Sequence, residues 1–207
     1  MRKNSGNWVW LLIVLILIAD QALKFWVKTH MLIGQRGEIV VFPNWFILHF
    51  TENEGMAFGM KFGGESGKLI LSLFRIAALI AIGWYLVVLI KRKASTGLLI
   101  SMALIFAGAF GNIIDSAVYG LIFSESTFHN TAILFPPEGG YGTFLHGKVV
   151  DMFYFPIIHS VYPDWVPWLG GEEMIFFRPV FNIADASITT GVILLILFQR
   201  KFYSRKS

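Results

Sequence analysis

The sequence lacks cysteine and is poor in charge. With no cysteine among 207 residues, it has no disulfide, no thiolate metal site and no cysteine nucleophile. Charged residues make up 14% of the chain and apolar residues 56%, whereas a typical soluble domain has about 25% charged residues. The deficit argues against a soluble enzyme, and the high hydrophobicity argues against disorder. The composition therefore predicts a polytopic membrane protein.

The distribution of basic residues predicts the orientation of the chain. Nine of the seventeen basic residues fall in three short clusters without acidic residues, at 2–3, 91–93 and 200–206. Apolar runs separate these clusters, so the positive-inside rule explains them better than nucleic-acid binding does. We therefore expect no nucleic-acid partner, and we expect both termini on the cytoplasmic side of a membrane.

Four apolar runs predict four transmembrane helices in a single integral membrane domain over residues 1–207. The predicted spans are about 8–27, 69–90, 97–119 and 181–198. At ~1.5 Å per residue, the second of them is roughly 33 Å long, enough for a hydrocarbon core of ~30 Å. Two long segments, 28–67 and 120–180, then face outward. The first has β-branched and aromatic runs on either side of Pro43 and Asn44, which predicts a β-hairpin.

Four aspartates lie at or beside the outer ends of the predicted spans. They are Asp20, Asp115, Asp151 and Asp185. An ionisable group at membrane depth is costly, so each is a candidate functional residue. Asn112 and Asn182 each precede one of them by three residues, a spacing that shares one face of a helix. Each amide then either holds its carboxylate in place or serves as a helix cap or an interhelical hydrogen bond.

Asp151 and Asp185 are candidates for acid–base chemistry. Two neighbouring carboxylates cannot both ionise cheaply, so one pKa rises and the pair shares a proton. The ionised member can take a proton from water while the protonated member donates to a carbonyl oxygen. Other chemistries have less support in this sequence. A His-Glu-x-x-His motif is absent and the five histidines are scattered, so we expect no metal.

Five motifs in order carry a resemblance that spans residues 8 to 198. They are Asp20-Gln21-Ala22-Leu23-Lys24, Asn53-Glu54-Gly55-Met56-Ala57-Phe58-Gly59, Gly111-Asn112-x-x-Asp115, Val149-Val150-Asp151-Met152 and Phe181-Asn182-x-Ala184-Asp185-Ala186. Together they closely resemble the motifs of the lipoprotein signal peptidases, the type II signal peptidases of bacteria. The resemblance implies an α-helical membrane protein: a four-helix bundle with an extracytoplasmic β-sheet cradle. We expect a monomer in the bacterial cytoplasmic (inner) membrane, in contact with lipid.

The resemblance also implies an activity and a set of site residues. Members of this family are aspartic endopeptidases that remove signal peptides from prolipoproteins, cutting just before a cysteine that carries diacylglycerol. By motif match, Asp151 and Asp185 take the places of the catalytic dyad at the outer face of the membrane, with no cofactor. Seven further positions match residues that bind substrate or support the site: Asp20, Lys24, Asn53, Gly55, Asn112, Asp115 and Asn182.

Some features depart from the family pattern or leave alternatives open. Ser116 stands where the family usually has arginine, and the stretches 116–147 and 152–180 are longer than is usual. The pair Asp20 and Lys24, at i and i+4, is equally consistent with a structural ion pair. Two rival functions remain: a non-catalytic membrane protein whose aspartates join helices or line an ion path, and an intramembrane peptidase with no lipid requirement.

Overall fold

Helices make up most of the described part of the chain. The structure, a computed structural model, describes residues 6–43, 45–54, 64–156, 158–161, 165, 167–168, 171, 173–176 and 179–203. Its helices are α1 (Asn7–His30), α2 (Gly64–Lys91), α3 (Thr96–Ile114), α4 (Gly120–Ile122) and α5 (Ile183–Tyr203). A π-helical turn, Asp115–Tyr119, joins α3 to α4. The chain therefore remains helical three residues beyond the predicted end of the third span.

Three helical stretches in the described part of the chain are long and apolar enough to cross a membrane. They are Asn7–His30, Gly67–Lys91 and Thr96–Ile122, and they contain the first three predicted spans. The apolar part of α5, Ile183–Gln199, is shorter. The fourth span therefore stays a prediction.

Glycines allow α3 and α5 to approach closely. A Cβ atom at Gly108 would lie 2.2 Å from the carbonyl oxygen of Ala184, and one at Gly191 would lie 2.6 Å from that of Ser101. Neither position has room for a side chain, because both neighbours are backbone atoms. This close packing brings the C-terminal end of α3 against the start of α5.

A small antiparallel sheet packs beside these helices. Its strand order is β1-β2-β3-β6, where the strands are β1 (Ile39–Phe42), β2 (Phe46–Asn53), β3 (Val149–Tyr154) and β6 (Val180–Phe181). Two further strands, β4 (Ile158–Val161) and β5 (Glu173–Phe176), pair only with each other among the described residues. Because β1 and β2 pair as an antiparallel hairpin, the hairpin prediction is confirmed.

The register of β2 on β3 assigns side chains to the two faces of the sheet. A bulge interrupts the ladder between Leu48 and Thr51, and beyond it Thr51 pairs with Asp151 and Glu52 with Val150. Since paired residues share a face, Asp151 and Glu52 point to opposite sides. The face that carries Val150 packs into an apolar cluster with α1, the π-helical turn and the segment after α4. The cluster includes Val27, Met31, Phe50, Tyr119, Phe123 and Met152.

Candidate active site

Three fully buried ionic side chains form a triad at the junction of α1 and α3. Lys24 lies 2.9 Å from Asp20 Oδ2 and 2.8 Å from Asp115 Oδ2, and all three side chains are at most 1% exposed. Gln21 Nε2 donates to Asp115 Oδ1 at 2.9 Å. Buried charges of this kind persist only when they are paired and hydrogen-bonded. Asp20 and Lys24 thus form the ion pair that their i,i+4 spacing allowed.

The triad also fixes the two segments that carry the other aspartates. Asp115 Oδ2 accepts a hydrogen bond from the backbone N–H of Val150 at 3.2 Å, directly before Asp151. Asp20 Oδ1 accepts one from the N–H of Ala184 at 2.9 Å, directly before Asp185. Lys24 joins the two acceptors. One buried cluster therefore sets the positions of both segments relative to each other.

Asn182 links Asp151 to Asp185 directly. Its Nδ2 donates to Asp151 Oδ1 at 2.7 Å, and its Oδ1 accepts the backbone N–H of Asp185 at 2.7 Å. Asn182 directly precedes α5, so the second contact is an N-cap. Of the two interpretations of the Asn-x-x-Asp spacing, the helix cap is correct for Asn182. The carboxylate that its amide holds is Asp151 of β3, not Asp185 three residues further along the chain.

Asn112 and Asn53 complete the hydrogen bonding of the two carboxylates. Asn112 Nδ2 donates to Asp185 Oδ1 at 2.7 Å, while its Oδ1 accepts from Lys24 Nζ at 2.9 Å. Asn53 Nδ2 donates to Asp151 Oδ2 at 3.1 Å. Each carboxylate thus accepts from fixed amide groups that are themselves tied to the triad or to the sheet.

Burial makes Asp151 a weaker acid than an exposed aspartate. Its side chain lies almost entirely out of solvent, with 2% exposed. Burial first, and then the negative charge of Asp185, raise the pKa of Asp151 to about 7, against the opposing effect of the Asn53 hydrogen bond. Desolvation and a neighbouring like charge both disfavour the ionised carboxylate. Asp151 is therefore suited to hold a proton near neutral pH.

An apolar groove runs along the first turns of α5. It has a volume of about 420 Å³, and its lining includes Ala186 and Ile183, on either side of Asp185 in the chain. The sheet contributes a wall of aromatic rings, of which Phe46 and Phe155 stack at 4.8 Å between centroids. A groove of this size, apolar and next to polar groups, has the character of a ligand-binding cleft.

The structure joins all but one of the predicted site residues into a single hydrogen-bonded network. Its predicted members are Asp20, Lys24, Asn53, Asn112, Asp115, Asp151, Asn182 and Asp185. Gly55 lies outside the described residues. Ser116 is buried, and its hydroxyl donates to the carbonyl oxygen of Asn112 at 3.1 Å, so its side chain is committed to its own helix.

Sequence reasoning missed three polar side chains that the structure places in or near this network. Gln21 donates to the triad and accepts from the hydroxyl of Tyr119 at 3.2 Å. Lys28 and Glu52 form a further buried ion pair. The available signal was spacing, since Lys28 follows Lys24 by four residues and Asp20 by eight and so lies on the same face of α1.

Comparisons with known proteins agree with one another. A family model described as signal peptidase (SPase) II matches residues 12–200. A lipoprotein signal peptidase of Porphyromonas gingivalis is 52% identical over 197 residues, which cover 95% of this chain and 84% of that protein. A lipoprotein signal peptidase of Amoebophilus asiaticus is 40% identical over 188 residues, covering 90% and 75%.

Two solved structures of similar proteins share the fold. One is a bacterial membrane enzyme determined by the in meso method at 2.3 Å resolution, with a TM-score of 0.62 and 27% identity, covering 97% of this chain and 92% of that one. The other, a bacterial membrane enzyme at 1.9 Å resolution, has a TM-score of 0.60 and 28% identity, and covers 94% of each chain.

Proposed function

The chain belongs to the signal peptidase II family, the lipoprotein signal peptidases, and from this premise we propose that Asp151 and Asp185 are its catalytic dyad. The family removes signal peptides from prolipoproteins, so the reaction is hydrolysis of a peptide bond by an aspartic peptidase. The observation that carries the proposal is the bridging amide of Asn182. It donates to one carboxylate and caps the helix that begins beside the other.

In the first step, Asp185 is the base and Asp151 the acid. Asp185 takes a proton from water, and the water oxygen attacks the scissile carbonyl carbon while Asp151 gives its proton to the carbonyl oxygen. Asp185 suits the ionised role because it lies in the first turn of α5, where the helix dipole favours an anion. Burial and the raised pKa suit Asp151 to the protonated role.

The second step returns both carboxyls to their starting states. Asp185, now protonated, donates to the amide nitrogen of the tetrahedral gem-diol intermediate. Asp151, now ionised, removes a proton from one of the two hydroxyls. The C–N bond breaks, leaving a carboxylic acid on the signal peptide and a free amine on the mature chain. The dyad ends with one proton on Asp151, as it began.

The apolar groove along α5 supports a lipid-bearing substrate. The bond to be cut precedes a cysteine that carries diacylglycerol, so the acyl chains must lie close to the dyad. The groove offers an apolar surface along the first turns of α5, the helix that carries Asp185, and is lined by residues of α3, α5 and the aromatic wall of the sheet. We assign this groove to the substrate's diacylglyceryl group.

The membrane arrangement we propose has four spans, with α5 as the fourth. Both termini and the basic cluster at 91–93 then lie in the cytoplasm, as the positive-inside rule favours. The sheet and the dyad lie at the outer face of the cytoplasmic membrane, where the sheet forms a cradle over the substrate. A dyad at the outer face suits a substrate whose lipid anchor keeps the scissile bond at the membrane surface.

Cleavage assays with purified protein in detergent test the dyad and the lipid requirement together. We expect wild type to cleave a diacylglyceryl-modified prolipoprotein and to leave the unlipidated form intact. Asp151→Asn and Asp185→Asn remove the acid and the base, so each rate should fall by at least about 10²-fold. Glu125→Gln is the matched control, because Glu125 is an exposed carboxylate, and it should retain the wild-type rate.

The alternatives give different results in the same assay. Cleavage of both substrate forms by wild type would show a peptidase without a lipid requirement. Wild-type rates in either dyad variant would refute the assignment of that aspartate. Melting curves of every variant separate a lost chemical group from a lost fold.

A further inference from the structure

A second buried ion cluster lies on the face of the sheet opposite Asp151. Lys28, near the end of α1, is 0% exposed and forms an ion pair with Glu52 of β2. Its ammonium group also donates to Ser126 Oγ at 2.9 Å, and Ser126 in turn donates to Glu52 Oε1 at 3.2 Å. The same group lies 4.9 Å from the ring centroid of Tyr141, a cation–π contact.

Stability alone is a weak reason for this ion pair. Burying two charges costs desolvation energy, and apolar residues of similar volume often stabilise a protein as well or better. A better supported use of a buried polar pair is to select one arrangement among several. In a strand the competing arrangements are registers, because a slip of one residue moves every side chain to the opposite face.

Few paired residues hold the register of β2 at the end of the strand that lies next to Asp151. The bulge between Leu48 and Thr51 interrupts the pairing with β3, and three paired residues remain before the strand ends at Asn53. Glu52 is the middle one of these three. Its side chain points away from the dyad, while those of Thr51 and Asn53 share the face of Asp151.

We propose that Lys28 and Glu52 are a positioning pair that fixes the register of the last three residues of β2 and so holds Asn53 against Asp151. Glu52 and Asn53 are neighbours in the chain, so an ion pair at Glu52 pins the backbone from which the Asn53 amide reaches Asp151 Oδ2 at 3.1 Å. The inference rests on the proposed function, because its effect on cleavage passes through Asp151.

The test replaces the charges while keeping the volume. In the double variant Lys28→Met with Glu52→Leu, apolar contacts substitute for the ion pair, so we expect the protein to fold and melt near the wild-type temperature. We expect kcat to fall roughly 10- to 100-fold, the size of effect that a misplacement of about 1 Å produces. KM for the lipidated substrate should change less than about twofold, since neither Lys28 nor Glu52 lines the apolar groove.

Two readouts separate positioning from general weakening. Loss of the Asn53 hydrogen bond removes a contact that lowers the pKa of Asp151, so the alkaline limb of the pH–rate profile should move to higher pH. Amide hydrogen exchange should become faster at residues 51–53 of β2 and stay unchanged in α3 and α5. Among the described residues, the charged groups that shift the pKa of Asp151 are Asp185 and Lys24, and neither is altered in the double variant.

Two control variants separate a failure of the positioning role from a failure of the dyad assignment. Glu52→Gln, which keeps the shape of the side chain, should give the same changes to a smaller degree and decides the matter if the double variant misfolds. Glu125→Gln should behave as wild type, because Glu125 is 64% exposed and pairs with Lys148, which lies 3.7 Å from Glu52 at the rim of the cluster. A wild-type kcat and pH profile in folded Glu52→Gln or in the double variant would overturn the positioning role. Full activity of Asp151→Asn would instead overturn the dyad.

Discussion

Asn182 serves two structural purposes at the residue scale. Its oxygen caps α5 by accepting the N–H of Asp185, and its nitrogen donates to Asp151. These two contacts can be separated by substitution, because serine is about as good an N-cap as asparagine but has no amide nitrogen that could reach Asp151. The residue therefore offers a direct test of which contact matters for catalysis.

Asn182→Ser should keep the fold and lose activity. We expect a cleavage rate reduced roughly 10²-fold, because the carboxyl of the acid is no longer oriented. The melting temperature should fall somewhat, because the Asn182 amide also donates to Val150 and Asn112 inside the protein. Asn182→Ala is the comparison, since it also loses the cap and should cost about 1 kcal/mol of stability. Equal melting temperatures for the two variants, or a wild-type rate in Asn182→Ser, would contradict this account.

The sequence could predict the residues of the candidate site but not their contacts. The spacing of Asn182 and Asp185 showed that they share one turn of a helix. Asp151 is 31 residues from Asn182, however, and a contact of that kind depends on how β3 approaches α5. Gln21 and Lys28 were missed for the same reason, since their partners lie on other elements.

At the scale of elements, the close approach of α3 and α5 holds the site together. Gly108 permits this approach because a side chain there would meet the backbone of Ala184. The next residue after Ala184 is Asp185, whose carboxylate accepts from Asn112 of α3. Any widening between the helices therefore lengthens a contact to the dyad.

Gly108→Ala should destabilise the protein and slow cleavage. We expect a loss of about 1–3 kcal/mol, the usual cost of overpacking, and a rate that falls as the helices separate. Gly83→Ala is the matched control, because a Cβ atom there would meet the end of the Phe106 ring at 2.8 Å, a side chain that can move. Equal melting temperatures and equal cleavage rates for the two variants would contradict this role of Gly108.

Helices were easier to predict than the irregular elements. The apolar runs predicted three helical stretches to within a few residues, because a long apolar run with few charges has few other stable conformations. The π-helical turn at Asp115–Tyr119 and the bulge after Leu48 were not predicted. Both depend on tertiary contacts: Asp115 sits in the triad with Lys24, and Glu52, beyond the bulge, pairs with Lys28.

For the whole molecule, the absence of cysteine makes the topology directly testable. Single cysteines introduced at Arg92, Glu138 and Gln199, all exposed positions, need no background correction. In intact cells, a membrane-impermeant maleimide should label Glu138→Cys and should leave Arg92→Cys and Gln199→Cys unlabelled until the membrane is opened. This pattern follows if α5 crosses the membrane and returns the chain to the cytoplasm.

Labelling of Gln199→Cys in intact cells would contradict the fourth span. Labelling of Arg92→Cys would contradict the orientation of the first three. Each variant should also retain cleavage activity, which shows that the reporter has not disturbed the fold.

The pH dependence of kcat/KM tests the central claim most directly, because it reports the protonation states that the free enzyme needs. Below its pKa of about 7, Asp151 holds the proton it must donate; above it, the carboxyl is ionised and cannot act as the acid. With a substrate that does not titrate in this range, kcat/KM should fall as the pH rises through about 7, by about tenfold per pH unit thereafter. A kcat/KM that is level or still rising up to about pH 9 would contradict a dyad in which Asp151 carries the single proton.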